Sequence, residues 1–457
     1  MGALTRRDFL GAAVTALAAS RWPHAQSVRP SPSVAQLEWQ RDELALFIHF
    51  GVNTFTNREW GDGTEDPRIF MPARLDTRQW TRAARAAGFR ALILTAKHHD
   101  GFCLWPTRTT RHSVASSPWR GGTGDLVREF VDACRADGLK AGLYLSPWDR
   151  HEPSYGDSPR YNDLYAEQLR ELLTNYGPIH EVWFDGANGE GPNGKRQVYD
   201  WPRVWGLVRA LQPNAVMFSD AGPDVRWIGN ERGVAGTTNW STVDPMIVRY
   251  PGQTGDEVMR SLQNGDAGGS VWRPGETDVS IRPGWFYHPA EDARVKTVDE
   301  LVELYFTSVG RNSKLLLNVP PTPEGVLHET DVGRLAAMRE RLNALIATDF
   351  GAGRTASWRR TSDRGAVAEL ELGRSVPIGI VRLMEDITRG QAIARYTTEG
   401  LVSGAWRGLA RGTTIGYCKL DRFAAANVSS VRVTVEEAVA RPEPLRISAY
   451  SGADTPR

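Results

Sequence analysis

The side chains able to do chemistry in this chain are not scattered. They sit at the ends of short apolar runs: His49 after Ala45–Ile48, Lys97-His98-His99-Asp100 after Ala91–Thr95, and Ser146-Pro147-Trp148-Asp149 after Lys140–Leu145. Asp185 closes His180–Phe184, and Asp220 follows Ala215–Ser219. Three chemistries suit such a set. A metal-dependent hydrolase would take His49, His98, His99 and Asp100 as ligands. Adjacent histidines on a strand point to opposite faces, however, so His98 and His99 share one ion only if the chain leaves strand geometry there. A glycosidase needs two carboxyl groups flanking the scissile bond. Asp185, held by a buried strand beside Gly186, suits the nucleophile, and Glu231 in Arg226-Trp227-Ile228-Gly229-Asn230-Glu231 suits its partner, because a neighbouring indole raises a carboxyl pKa. A non-catalytic carbohydrate-binding protein is the third reading, and it has no need of so many titratable groups at strand ends.

These tails need a scaffold that turns them to one side. Apolar runs at 45–50, 91–95, 140–145, 180–185, 215–219 and 315–319 read as strands covered on both faces, as in a parallel sheet. Amphipathic helices lie between them: Trp80, Ala83, Ala84 and Ala87 recur at i, i+3, i+4 and i+7, and Gly88 and Gly138 stand where helix C-caps favour glycine. Repeated β-α units over nearly 300 residues predict an α/β fold, a (β/α)8-like TIM barrel over 35–348, whose active site lies at the C-terminal ends of its strands. The stretch 221–290 is irregular and Gly-rich and yields no clean strand. After the helical pattern of 331–348 the character changes to short β segments at 366–372, 378–385, 392–397, 414–420, 429–436 and 445–450. They predict a C-terminal β-sandwich over 352–457, with a packing role.

Composition narrows the partners. Lys plus Arg number 55 against 54 Asp plus Glu, a net charge of +1, which excludes a nucleic acid or an anionic membrane surface as the main partner. Residues 1–25 read as a leader: Thr5-Arg6-Arg7-Asp8-Phe9-Leu10 is a twin-arginine pattern, and the apolar run Gly11–Ala19 is too short for a membrane anchor. The expected location is therefore the bacterial periplasm or the exterior. Three cysteines, Cys103, Cys134 and Cys418, are too few for a disulfide framework or a zinc site. Sixteen tryptophans suit both large cores and the apolar faces of sugar rings.

Four stretches together are specific: Phe47-Ile48-His49-Phe50-Gly51, Lys97-His98-His99-Asp100-Gly101-Phe102, Val182-Trp183-Phe184-Asp185-Gly186 and Asn312-Ser313-Lys314-Leu315-Leu316-Leu317-Asn318-Val319. In these the chain resembles the α-L-fucosidases of glycoside hydrolase family 29, over about residues 35–345. The resemblance implies a retaining enzyme without metal or cofactor, acting on fucosylated oligosaccharides or glycoconjugates through a fucosyl-enzyme intermediate. It maps the nucleophile to Asp185. The Gly229-Asn230-Glu231 loop, 46 positions further on, resembles that of members preferring α-1,3 and α-1,4 fucosides, which maps the acid/base to Glu231, with Glu276 and Glu190 competing. A retaining pair implies carboxyl groups about 5–5.5 Å apart. His49, His98 and His99 map to fucose-binding histidines, and Glu59-Trp60 to a glutamate and an aromatic against the sugar, with Glu65 close by. Tyr144 and Arg226 match positions near the nucleophile, and Trp285 an aromatic that stacks on the sugar near its methyl group.

Overall fold

A computed structural model describes residues 29–452; the leader read at 1–25 lies outside the described residues. Eight parallel strands form one sheet: β1 Leu44–Ile48, β2 Ala91–Lys97, β3 Lys140–Leu145, β4 Glu181–Trp183, β5 Val216–Phe218, β6 Arg226–Trp227, β7 Gly275–Ser280 and β8 Ser313–Asn318. Their lateral order is β5-β4-β3-β2-β1-β8-β7-β6, and a single parallel bridge between Phe218 and Val225 joins the two ends. The sheet is thus a TIM-like barrel, nearly closed. Helices flank it, and three of them start alike: Asp76, Asp125 and Asp200 accept from the backbone N–H three residues on, satisfying donors that a helix leaves free. Gly88 and Gly138 take the left-handed conformation that ends the helices Thr77–Ala86 and Leu126–Ala136.

Side-chain parity sorts the barrel into an inside and an outside. Ala45, Phe47, Ala91, Ile93, Tyr144, Trp183, Val216, Phe218 and Leu316 pack together in the interior. Their neighbours Leu44, Leu46, Ile48, Leu92, Leu94 and Leu317 face the helices in the larger core. A strand repeats every second residue, so the next inward position after Phe47, Trp183, Phe218 and Leu316 is His49, Asp185, Asp220 and Asn318. The chemical tails are the top layer of the barrel interior.

The two barrel strands hidden in 221–290 are β6, two residues long, and β7, whose sequence Gly-Glu-Thr-Asp-Val-Ser is almost wholly polar yet fully buried. Neither has an apolar run, because β7 turns its Glu and Asp into the barrel. After the helix Glu329–Leu345 comes a six-stranded antiparallel sheet: Ser357–Arg360, Ala366–Met384, Ile393–Val402, Ala405–Gly412, Lys419–Ala438 and Arg446–Tyr450. Segments expected as separate strands at 366–372 and 378–385 form one strand of 19 residues. Its core-facing residues are even-numbered from Ala366 to Ile378 and odd-numbered at Val381 and Leu383, because a register shift falls between Ile378 and Ile380. The shift turns Ile380 towards the barrel core, alongside Tyr417, Cys418 and Leu420. All three cysteines are buried and unpaired.

Candidate active site

At the C-terminal ends of the strands lies a cavity of about 290 Å³. Asp185, Glu231, His49, His98, His99, Trp60, Tyr144 and Trp285, all singled out in the sequence, line it together. Asp220, Trp227 and Asp278 line it as well.

Asp185 is held at both oxygens. The Tyr144 hydroxyl donates to Oδ2 at 3.0 Å, and the Ala187 N–H donates to Oδ1 at 2.8 Å. Donors on both oxygens fix the orientation of the group. Gly186, next in the chain, is required by a close approach: a Cβ there would lie 2.6 Å from the Gly252 nitrogen. Glu231 is different. It stands at the mouth, on a loop pinned by Asn230, whose side chain donates to the Val234 carbonyl and to Gln263 Oε1, both at 2.9 Å. Partial burial, followed by the charge of Asp185, raises its pKa above the ordinary glutamate value; a hydrogen bond with Trp285 opposes the shift. Two carboxyl groups therefore meet in one cavity, one held by a donor on each oxygen and the other biased towards its acid form.

His49 and His99 have assignable tautomers. Asn318 donates its Nδ2 protons to Ser280 Oγ and the Trp285 carbonyl, so its Oδ1 accepts from His49 Nδ1 at 2.8 Å, and His49 Nε2 keeps a lone pair. The Ser146 hydroxyl donates to the Trp148 carbonyl and so accepts from His99 Nδ1 at 2.7 Å; His99 Nε2 lies 3.7 Å from Asp185 Oδ2. Burial lowers the pKa of all three, that of His49 to about 3. Neutral rings presenting acceptors suit an uncharged, hydroxyl-bearing ligand. His98 and His99 do face the same cavity, with ring centroids 4.1 Å apart, because β2 ends at Lys97 and the chain turns there. Among the described residues no group of three or more His, Cys, Asp or Glu side chains is arranged to hold a metal ion.

Four of the residues singled out in the sequence do not line the cavity. Arg226 is not at the cavity. On β6 it alternates with Trp227, and since the indole points inward the guanidinium points outward, donating to the carbonyls of Leu262 and Arg273 and to Asn239 Oδ1. Glu59 does not line the cavity either. Its carboxylate accepts from the N–H groups of Trp285 at 2.6 Å and Phe286 at 3.2 Å, and pairs with His288 at 3.0 Å. With Asn318 gripping the Trp285 carbonyl from the other side, Glu59 positions the tryptophan. Glu276, a competitor for the acid/base, is 0% exposed, one layer below the cavity floor, where Trp183 Nε1 donates to it at 3.1 Å. Glu190 is not among the lining residues. Trp60, 56% exposed, stands edge-on to His99 and Trp148 at the rim.

The sequence reading missed Asp278. It is the inward residue after Glu276 on β7, 3% exposed, and accepts from Trp227 Nε1 at 2.8 Å. Burial, then the charge of Glu231, raises its pKa well above the ordinary aspartate value. The alternation Glu276–Asp278 was its only signal, and it needed β7 to be recognised as a barrel strand.

A carboxyl group held at both oxygens and an acid-biased one in a single cavity, with acceptors fit for ring hydroxyls, suit cleavage of a glycosidic bond; on a barrel of this architecture they define a glycoside hydrolase. Comparison with known proteins narrows the class. Residues 19–344 match the family model described as Alpha-L-fucosidase, and the chain belongs to that family. Alpha-L-fucosidase 1 of Arabidopsis thaliana is 42% identical over 455 residues, covering 93% of this chain and 87% of its own length. A crystal structure of a glycoside hydrolase 29 family member from a rumen bacterium superposes with a TM-score of 0.86 at 40% identity, covering 94% of this chain and 78% of that one. A Ruminococcus gnavus GH29 fucosidase in complex with fucose superposes with a TM-score of 0.83 at 31% identity, covering 93% and 95%. Relatives occur in plants and bacteria alike, so the expected bacterial origin rests on the leader pattern alone. No helix among the described residues is long and apolar enough to cross a membrane.

Proposed function

We propose that the chain is a retaining exo-α-L-fucosidase that removes terminal α-1,3- or α-1,4-linked fucose from oligosaccharides or glycoconjugates by double displacement. Asp185 attacks the anomeric carbon while Glu231 gives its proton to the departing glycosidic oxygen, and the aglycone leaves as an alcohol. The resulting fucosyl ester on Asp185 is then cleaved by water, which passes its proton to Glu231, so that L-fucose leaves with retained configuration and both carboxyl groups return to their starting states. The observation that carries the reading is the contrast between the two groups in one cavity: Asp185 with a donor on each oxygen, Glu231 with its pKa raised by burial and by the charge of Asp185. His49, His98 and His99 bind ring hydroxyls, and Trp285 offers an aromatic face. The fucose complex of the Ruminococcus gnavus relative supports fucose as the glycone. The α-1,3/1,4 preference rests on the Gly229-Asn230-Glu231 loop, and export on the twin-arginine pattern in residues 1–25.

Azide distinguishes the two roles. Asp185→Gly with an aryl α-fucoside and azide should yield the β-fucosyl azide, since azide replaces the nucleophile directly. Glu231→Ala should yield the α-fucosyl azide, since azide then attacks the Asp185 ester. Identical azide anomers from both variants, or no rescue of either, would overturn the assignment. A panel of linkage-defined fucosides tests the preference, which fails if α-1,2 substrates are cleaved as fast as the branched α-1,3/1,4 set.

A further inference from the structure

Where the barrel meets the C-terminal sheet there is a second cavity, of about 640 Å³, more than twice the size of the one holding Asp185. One wall comes from the helix Val298–Thr307 and the turn to β8, the other from the strands Ile393–Val402, Ala405–Gly412 and Lys419–Ala438. Its charges do not balance: five cationic side chains line it against three carboxylates. Two pairs are closed, Arg422 with Glu303 and Arg395 with Glu436 at 3.0 Å. The third carboxylate, Asp421, accepts from the Tyr396 hydroxyl at 2.7 Å. Arg311, Arg411 and Lys419 are left, among the described residues, without a carboxylate in salt-bridge range.

A bland reading makes these solvated surface charges. Exposed Arg411 allows it, but Lys419 does not. Lys419 is 7% exposed, and the one acceptor its ammonium reaches is the Thr237 carbonyl at 3.4 Å. Arg311 spends one N–H on the Ala235 carbonyl at 2.9 Å. Burial lowers the pKa of both; the charge of Asp421 opposes the shift at Lys419 and that of Glu303 the shift at Arg311, while Arg311 repels Lys419 and Arg422 repels Arg311. A buried cation with no carboxylate in contact is costly, and an anion that enters relieves the cost. Guanidinium forks match oxyanions, and the volume falls in the range of small-ligand sites.

We propose that this cavity is a binding site for an oxyanion, held by Arg311, Arg411 and Lys419, which is either free in solution or carried as the sulfate or carboxylate of an acidic saccharide. Nothing in it depends on the fucosidase reaction. Because the ligand touches both the barrel and the sheet, its binding also raises the thermal midpoint.

The test is calorimetric titration of the full chain, at low and constant ionic strength, with sodium sulfate, glucose 6-sulfate and methyl β-D-glucuronide, and with methyl β-D-glucoside as the uncharged control. Saturable binding of the anions but not of the glucoside is expected. Arg411→Gln and Lys419→Met should each weaken it about tenfold, the loss of one hydrogen bond between charged partners, while turnover of an aryl fucoside stays at the wild-type rate. Binding of sulfate alone would uphold the oxyanion site and identify the free ion as its source; binding of the sugar anions as well identifies the saccharide. Absence of saturable binding at millimolar concentrations, or binding unaltered in Arg411→Gln, would overturn the proposal. Arg411 is exposed on its strand, so that variant remains informative if Lys419→Met fails to fold.

Discussion

Replacing Tyr144 by phenylalanine removes one oxygen and should expose the two chemical steps. The hydroxyl donates to Asp185 Oδ2 at 3.0 Å, while its ring is wedged against Trp183 at 5.3 Å and Phe47 at 5.9 Å, contacts that phenylalanine keeps. Asp185 also keeps its bond from Ala187 at 2.8 Å. A hydrogen bond to a charged group contributes about 1.5–3 kcal/mol, equivalent to roughly 10–150-fold in rate. The direction follows from where charge sits. In the first step the carboxylate loses charge as it bonds to carbon, so the hydroxyl favours the reactant. In the second step charge returns to Asp185 as the ester breaks, so the hydroxyl favours the transition state. Tyr144→Phe should therefore slow hydrolysis of the intermediate. Stopped-flow cleavage of an aryl fucoside should show a burst equal to the enzyme concentration, with kcat lowered by about 10–150-fold, KM lowered in parallel, and the fucosyl adduct visible by mass spectrometry of the intact protein. A lowered kcat without burst or adduct, or a raised KM with kcat unchanged, would refute the division of labour between the steps.

Glu59→Ala should act through Trp285: freeing two N–H groups of its loop should raise KM about tenfold while kcat changes little, and a collapse of kcat at unchanged KM would show that Glu59 touches the reacting sugar. Arg226→Met strands the acceptors on Leu262, Arg273 and Asn239, at about 1–3 kcal/mol each. The melting temperature should fall while the kcat of the folded protein holds; lost turnover at an unchanged melting temperature would return Arg226 to the active site. Asp220 has its pKa raised from 3.8 to about 6, chiefly by burial, with the charge of Asp185 adding. The folded state therefore binds this proton more tightly than the unfolded chain, and its contribution is complete below about pH 4 and lost as pH rises through about 6, ~3 kcal/mol in all. Asp220→Asn should raise the melting temperature at pH 7 and leave it unaltered near pH 4; equal effects at both pH values would exclude this linkage.

Legibility in the sequence followed local signals. Six of the eight barrel strands carry apolar runs and could be read directly, as could the helices with their glycine stops. The polar strand Gly275–Ser280 and the two-residue strand Arg226–Trp227 were invisible, because their hydrogen-bond partners lie far along the chain and supply the stability that their own composition does not. Asp278 was lost with them, and Arg226 was misplaced for the same cause. In the C-terminal sheet, the two expected strands run on as a single one with two register shifts, between Glu371 and Val376 and between Ile378 and Ile380.

By itself the sequence determined the barrel class and the family motifs, and it pointed to Asp185, His49, His98 and His99 because each lies at or just beyond the end of an apolar run whose pattern is local; Glu231 followed from the resemblance of the Gly229-Asn230-Glu231 loop. The tertiary structure alone decided which neighbour of each pair faces inward, that the Glu59 carboxylate holds the backbone of Trp285 and Phe286, and that Arg311, Arg411 and Lys419 meet beside the sheet. Those relations hold between segments separated by scores to hundreds of residues, and only closure of the barrel and docking of the sheet bring their side chains within interacting distance.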